Sequence, residues 1–175
     1  VQHWICVGEV HWRIIVISGH IDLRILPKDL TDLQFVDYFA CYTQTPETEQ
    51  YYTPENSSIW QMFDDESPSW VHDLATQVPQ DFAHSVVSVI SIPPGQTIPY
   101  HIDKHYLLQK EYGTGKTWRY LIMLEDWKRG HYFEIEDEPF VKWKAGDWVK
   151  IPQSAWHLAG NMGTQPFYSA QVTVK

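Results

Sequence analysis

At 175 residues and a net charge of −9, the chain has the length of one folded domain and is too acidic for a general nucleic-acid binder. Hydrophobic residues at 43% against 20% charged exclude a disordered chain, and no apolar run approaches the ~20 residues that span a bilayer. No basic-then-apolar leader opens the sequence, and Cys6 and Cys41 form neither a disulfide framework nor a metal knuckle, so a reducing cytoplasm is the expected location.

In chain order, residues 12–17 predict an outer strand. Residues 26–78 read mainly as helix, with Leu30, Leu33, Phe35, Val36 and Phe39 at helical spacing after Pro27. Residues 43–58 are polar and aperiodic and read as a loop. Further helical stretches are expected over 59–63 and 70–74. From His84 the texture changes to short strands between Gly and Pro turns. A β-branched run through Val86, Val87, Val89 and Ile90 stops at Pro93-Pro94-Gly95, and a second strand should begin near His101. Later strands are expected over 118–124, 131–135, 140–143, 147–151 and 167–174. This spacing suggests an antiparallel barrel or sandwich over 84–175, with 1–83 as a strand plus a helical flank of the same domain.

Gly113-Thr114-Gly115-Lys116-Thr117 looks like the end of a phosphate-binding loop, but Lys110 stands where that loop needs its first Gly. The following residues read as a strand rather than the required helix. His-x-Asp occurs twice, as His20-Ile21-Asp22 and His101-Ile102-Asp103. The first lacks a third ligand and reads as an ordinary polar pair. The second differs, because residues i and i+2 of a strand share a face and can reach one point. Downstream, His157 stands on the returning strand of a strand–turn–strand unit that starts at Gly146-Asp147. Two His and one carboxylate leave one side of a metal open, as in non-haem Fe(II) oxygenases.

Gly95-x5-His101 and Gly146-x5-Pro152-x4-His157-x3-Asn161 resemble the two motifs of the cupin, or double-stranded β-helix, superfamily. Asp103 replaces the second His of many cupins, no Glu follows it as a fourth ligand, and Ser154 stands where Gly is preferred. Within that superfamily, Pro99-x-His101-x-Asp103, Arg119, Trp143-x-Ala145-Gly146-Asp147 and His157-x3-Asn161 resemble the aspartyl/asparaginyl β-hydroxylase-like branch of the Fe(II)/2-oxoglutarate oxygenases. The resemblance covers residues 84–175. It implies a mainly β, jelly-roll fold with a helical N-terminal flank. It also implies metal ligation by His101, Asp103 and His157, with Fe(II), 2-oxoglutarate and O2 as the reacting set.

By the same resemblance the co-substrate is decarboxylated to succinate and CO2 while a small-molecule or peptide C–H bond is hydroxylated, with neither nucleic acid nor membrane as partner. That branch often carries an Arg about ten residues after the second His, where this chain has Phe167 and Tyr168. Arg119 is therefore expected to hold the far carboxylate of 2-oxoglutarate, with Lys116 as the competing cation. His105 is expected beside the site or at the surface, and His131 in a solvated turn. Tyr100, Tyr106, Trp148 and Trp156 read as packing before substrate wall. Two other readings stay open: a cupin-type isomerase or dioxygenase without 2-oxoglutarate, and a non-catalytic ligand-binding β-domain.

Overall fold

Strand alternation and two buried faces organise this chain. The computed structural model describes residues 16–25, 27–37, 60–62 and 67–175. Eight strands form the centre: β4 (Ser85–Ile92), β5 (Thr97–Ile102), β6 (Trp118–Met123), β7 (His131–Ile135), β8 (Glu138–Phe140), β9 (Asp147–Pro152), β10 (Trp156–Asn161) and β11 (Phe167–Val174). Before them come β1 (Ile17–His20), α1 (Pro27–Thr31), β2 (Val36–Asp37), β3 (Trp60–Met62), α2 (Ser69–Asp73) and a 3₁₀ turn, Leu74–Gln77. A helix, α3 (Tyr106–Tyr112), separates β5 from β6.

The strands pair antiparallel in two sheets, ordered β1-β9-β6-β11-β4-β3-β2 and β5-β10-β7-β8. Successive strands from β4 mostly change sheet, which is the winding of a double-stranded β-helix and bears out the expected class. Between the sheets lies an apolar interior that includes Ile90, Ile92, Leu121, Met123, Phe133, Ile135 and Phe167. Alternate residues of the same strands, Val87, Val89, Tyr120, Ile122, Ala170 and Val172, face the other way. They are covered by Leu30, Leu33, Val71, Leu74 and Val78 of the N-terminal flank. The larger sheet is thus buried on both sides, which is why β4 reads as a nearly unbroken β-branched run.

The barrel strands fall close to their expected positions, and the flank does not. The helical spacing after Pro27 yields only one turn of helix, and the chain then extends so that Val36–Asp37 pairs with Gln61 and Trp60. Phe39 and the loop over 43–58 lie outside the described residues, as do 12–15 of the expected outer strand; β1, paired with β9, begins at its last residue, Ile17, and runs on to His20. The helix expected over 59–63 is instead strand β3. It supplies backbone partners to the edge of β4, where unpaired N–H and C=O groups would otherwise remain. The helix expected at 70–74 is α2. The strand expected over 140–143 ends at Phe140, because Lys142 turns the backbone left-handed at φ 60° and sends Trp143 into the interior. No helix among the described residues is long and apolar enough to cross a membrane.

Candidate metal centre

Three side chains converge at one open end of the barrel. His101 sits next to last in β5, Asp103 one residue beyond that strand, and His157 second in β10. Strand pairing sets the two His directly opposite one another. Their rings lie 4.2 Å apart between centroids. The strand expected to begin near His101 starts instead at Thr97, after a turn closed by Gln96 N–H donating to Pro93 O, with Gly95 at φ 80°.

Both rings are oriented by the backbone. His101 Nδ1 donates to Pro99 O at 2.7 Å, and His157 Nδ1 donates to Ala155 O at 3.0 Å. A carbonyl only accepts, so each Nδ1 carries the proton and each Nε2 presents a lone pair. Those lone pairs face the Asp103 carboxylate. His101 Nε2 lies 3.6 Å from Oδ1 and His157 Nε2 3.3 Å from Oδ2. Bonds of about 2.1 Å at right angles put donor atoms about 3 Å apart, so one divalent ion fits the set once the carboxylate turns a single oxygen toward both nitrogens. Among the described residues, this is the group of three ligand-type side chains whose donor atoms all lie within 4.8 Å.

The carboxylate is clamped from behind. Arg119 Nη1 donates to Asp103 Oδ2 at 2.5 Å, and its Nε donates to Thr173 at 3.0 Å. Burial would raise the Asp103 pKa, but the Arg119 guanidinium beside it holds it well below the usual carboxylate range. Asp103 is thus a permanent anion, as a metal ligand must be. Arg119 shares the interior face of β6 with Leu121 and Met123, as expected, yet two of its nitrogens are already committed.

A cavity of about 540 Å³ opens beside Asp103, walled by Ile102, Trp118, Pro152, Gln153 and Ser154, with Lys104, Gln109, Lys116 and Thr117 at its polar side. Lys116 is thus on the cavity wall, in the connection rather than in a phosphate loop, since a strand follows it. The aromatics Trp148, Tyr100 and Trp156 pack, as expected. Trp148 packs edge-on against Tyr120 behind the larger sheet, and Tyr100 stacks on Trp156 at 5.1 Å.

Three other His take distinct places. His20 bonds Asp147 at 2.8 Å as an exposed cross-strand pair, while Asp22 pairs with Arg24, so the two residues of the first His-x-Asp take separate polar partners. His131 corrects the expected solvated turn. The turn ends at Gly130, and His131 opens β7 buried, stacked 5.0 Å from Phe167, with Nε2 donating to Gln165 O. His105 is buried as well, and was only loosely located by sequence. Its backbone is left-handed (φ 47°, ψ 42°), its Nδ1 meets Thr117 Oγ1 at 2.6 Å, and burial lowers its pKa. Thr117 was missed, because its role depends on a partner twelve residues away. Asn161, the last residue of the second motif, is a clasp at the far end. Its amide donates to Ile92 O and Gln165 O, and its Oδ1 accepts from Gly163 N–H.

No protein-family model and no curated protein matches the chain. Among solved structures, a prolyl-4-hydroxylase from Pseudomonas putida is similar with TM-score 0.51 at 10% identity, over 70% of this chain and 72% of that one. A predicted oxalate decarboxylase from Thermotoga maritima gives TM-score 0.43 at 12% identity, over 67% and 81% of the two chains. A cupin protein from Bacteroides fragilis gives 0.41 at 15%, over 77% and 85%. The winding of the eight strands and the likeness to the hydroxylase agree on the architecture: this chain is a double-stranded β-helix.

Proposed function

We propose that the protein is an Fe(II)- and 2-oxoglutarate-dependent oxygenase that hydroxylates an unactivated C–H bond in a small molecule or a peptide. The observation that carries this reading is the pair of tethered imidazoles, both with Nε2 turned toward one carboxylate. That donor set suits Fe(II) and leaves the opposite coordination positions for reactants. Fe(II), when bound, supplies the oxidising chemistry through O2 and the keto acid.

The chain's own residues supply the rest. His101 and His157 offer neutral nitrogens in fixed directions, while Asp103, held anionic by Arg119, offsets part of the ion's charge. Ile102, Trp118 and Pro152 give the cavity beside Asp103 apolar walls against which a substrate could lie. The far carboxylate of 2-oxoglutarate is assigned to Arg119, through its remaining Nη2, with Lys116 on the cavity wall as the competing cation. Asp and Asn side chains, in peptides or as free amino acids, are the first substrates to test, from the branch that the motifs resemble.

The experiment is anaerobic addition of Fe(II) and then 2-oxoglutarate. A weak visible charge-transfer band is expected with both present, and no band in His157→Ala. A screen of peptides and amino acids for a 2-oxoglutarate-dependent gain of one oxygen then finds the substrate. A second reading, a cupin-type metalloenzyme without 2-oxoglutarate, is favoured by one observation: Arg119 is engaged by Asp103 and Thr173, and the interior beyond it is apolar. Metal binding with no band on adding the keto acid would select it.

A further inference from the structure

His105 poses a problem of hydrogen-bond satisfaction that the metal group explains. Its side chain is fully buried, its Nε2 has no hydrogen-bond partner, and Asp103 Oδ2 lies 3.8 Å from that nitrogen. A buried imidazole nitrogen without a partner costs free energy, and so does a left-handed backbone at a residue other than Gly. Both costs fall on one residue, and both serve to aim its ring at the back of a carboxylate.

The tautomer follows from what each ring nitrogen faces. If Nδ1 held the proton, the Nε2 lone pair would point at an anionic oxygen with no water between. If Thr117 instead donates its hydroxyl proton to Nδ1, then Nε2–H points at Oδ2, and a short carboxylate movement closes the bond. His101 and His157 are fixed in the opposite tautomer by Pro99 O and Ala155 O. We propose that His105 is a positioning residue for the metal carboxylate: locked by Thr117 as the Nε2–H tautomer, it joins Arg119 in holding Asp103 Oδ2 and so fixes how that side chain faces His101 and His157.

The inference rests on the metal reading above, and one set of titrations separates the two. Co(II) is added to the wild-type chain and to the His105→Phe, Thr117→Val and Thr117→Ser variants, with folding checked by circular dichroism. In parallel, the imidazole ¹⁵N shifts of the wild type report each tautomer directly, without any variant. The expected results are Co(II) binding by the wild type, weakening by about 10- to 100-fold in His105→Phe, less in Thr117→Val, and little change in Thr117→Ser. The expected shifts show Nε2–H on His105 and Nδ1–H on His101 and His157. Wild-type affinity in a folded His105→Phe, or Nδ1–H on His105, overturns the positioning role and leaves the metal reading standing. Failure of the wild type to bind Co(II) overturns both.

Discussion

At the scale of single residues, the candidate centre divides into groups that would touch an ion and groups that hold those groups. His157→Ala removes a candidate ligand whose ring packs 6.1 Å from Phe133. Its expected effect is loss of Fe(II) or Co(II) affinity by more than about 100-fold with strand content unchanged, read by equilibrium dialysis and circular dichroism. Arg119→Ala acts through two partners. Because Arg119 holds Asp103, the variant should lose metal affinity about tenfold as well as affinity for 2-oxoglutarate. Truncating one partner of a buried charge pair costs about 2–5 kcal/mol, and Arg119→Lys should recover little, since Lys lacks the fork that spans Asp103 and Thr173. If Lys116→Ala raises the Michaelis constant for 2-oxoglutarate while Arg119→Ala moves only metal affinity, the lysine is the anchor.

His131 gives a pH dependence at the same scale. Burial holds its pKa below the ordinary value, opposed by the Gln165 carbonyl. As pH falls below about 6.5 the unfolded chain therefore takes up a proton before the folded one. Stability should be complete above that pH and decline as pH falls toward the folded-state value. His105 shifts in the same direction, so His131→Phe, which keeps the stack on Phe167, should lessen the decline between pH 7.5 and 5.5 without abolishing it. Urea midpoints at the two pH values test this.

At the scale of elements, the turn before β9 ties the flank to the barrel. Gly146 has φ 91°, its carbonyl accepts from Ile21 N–H at 3.0 Å, and a Cβ placed there would lie 2.2 Å from Ile21 O. That neighbour is backbone and cannot swing aside. Gly146→Ala is expected to cost about 2–4 kcal/mol, from left-handed strain and a steric clash, measured by urea denaturation. In the sequence Gly146 stood out only as part of a spaced motif, and its physical reason is the close passage of Ile21. The same contrast runs through the elements. β7 and β11 were legible to the residue, because β-branched and aromatic side chains meet clear turn punctuation there. β3 was not, since three residues that extend an existing sheet edge carry no period of their own. At the open end, the convergence of His101, Asp103 and His157 was legible through spacing. His105 was not, because one left-handed residue between a strand and a helix has no local signature.

At the scale of the molecule, the larger sheet needs two covers. Its inner face closes on the smaller sheet, and its outer face closes on α1, α2 and their connections. Residues 84–175 alone would expose Val87, Val89, Tyr120, Ile122, Trp148 and Val172 as one continuous apolar surface. Such a fragment is expected to aggregate or to bind a dye sensitive to apolar surface, whereas the whole chain should not, by light scattering and fluorescence titration. The flank thus covers the outer face of the larger sheet.

The carbonyl tethers on His101 and His157 have a consequence for metal selection. Pro99 O and Ala155 O, rather than an incoming ion, fix where the two ring nitrogens point. A rigid set of two nitrogens and one carboxylate pays little ordering entropy to whichever ion arrives, so affinity should follow the general series in which Ni(II), Cu(II) and Zn(II) exceed Fe(II). Protein isolated in air should then carry zinc or nickel, detectable by elemental mass spectrometry. Activity in any assay should rise after chelation and anaerobic reloading with Fe(II). The rigidity that sets the ligands in place leaves the choice of ion to its surroundings.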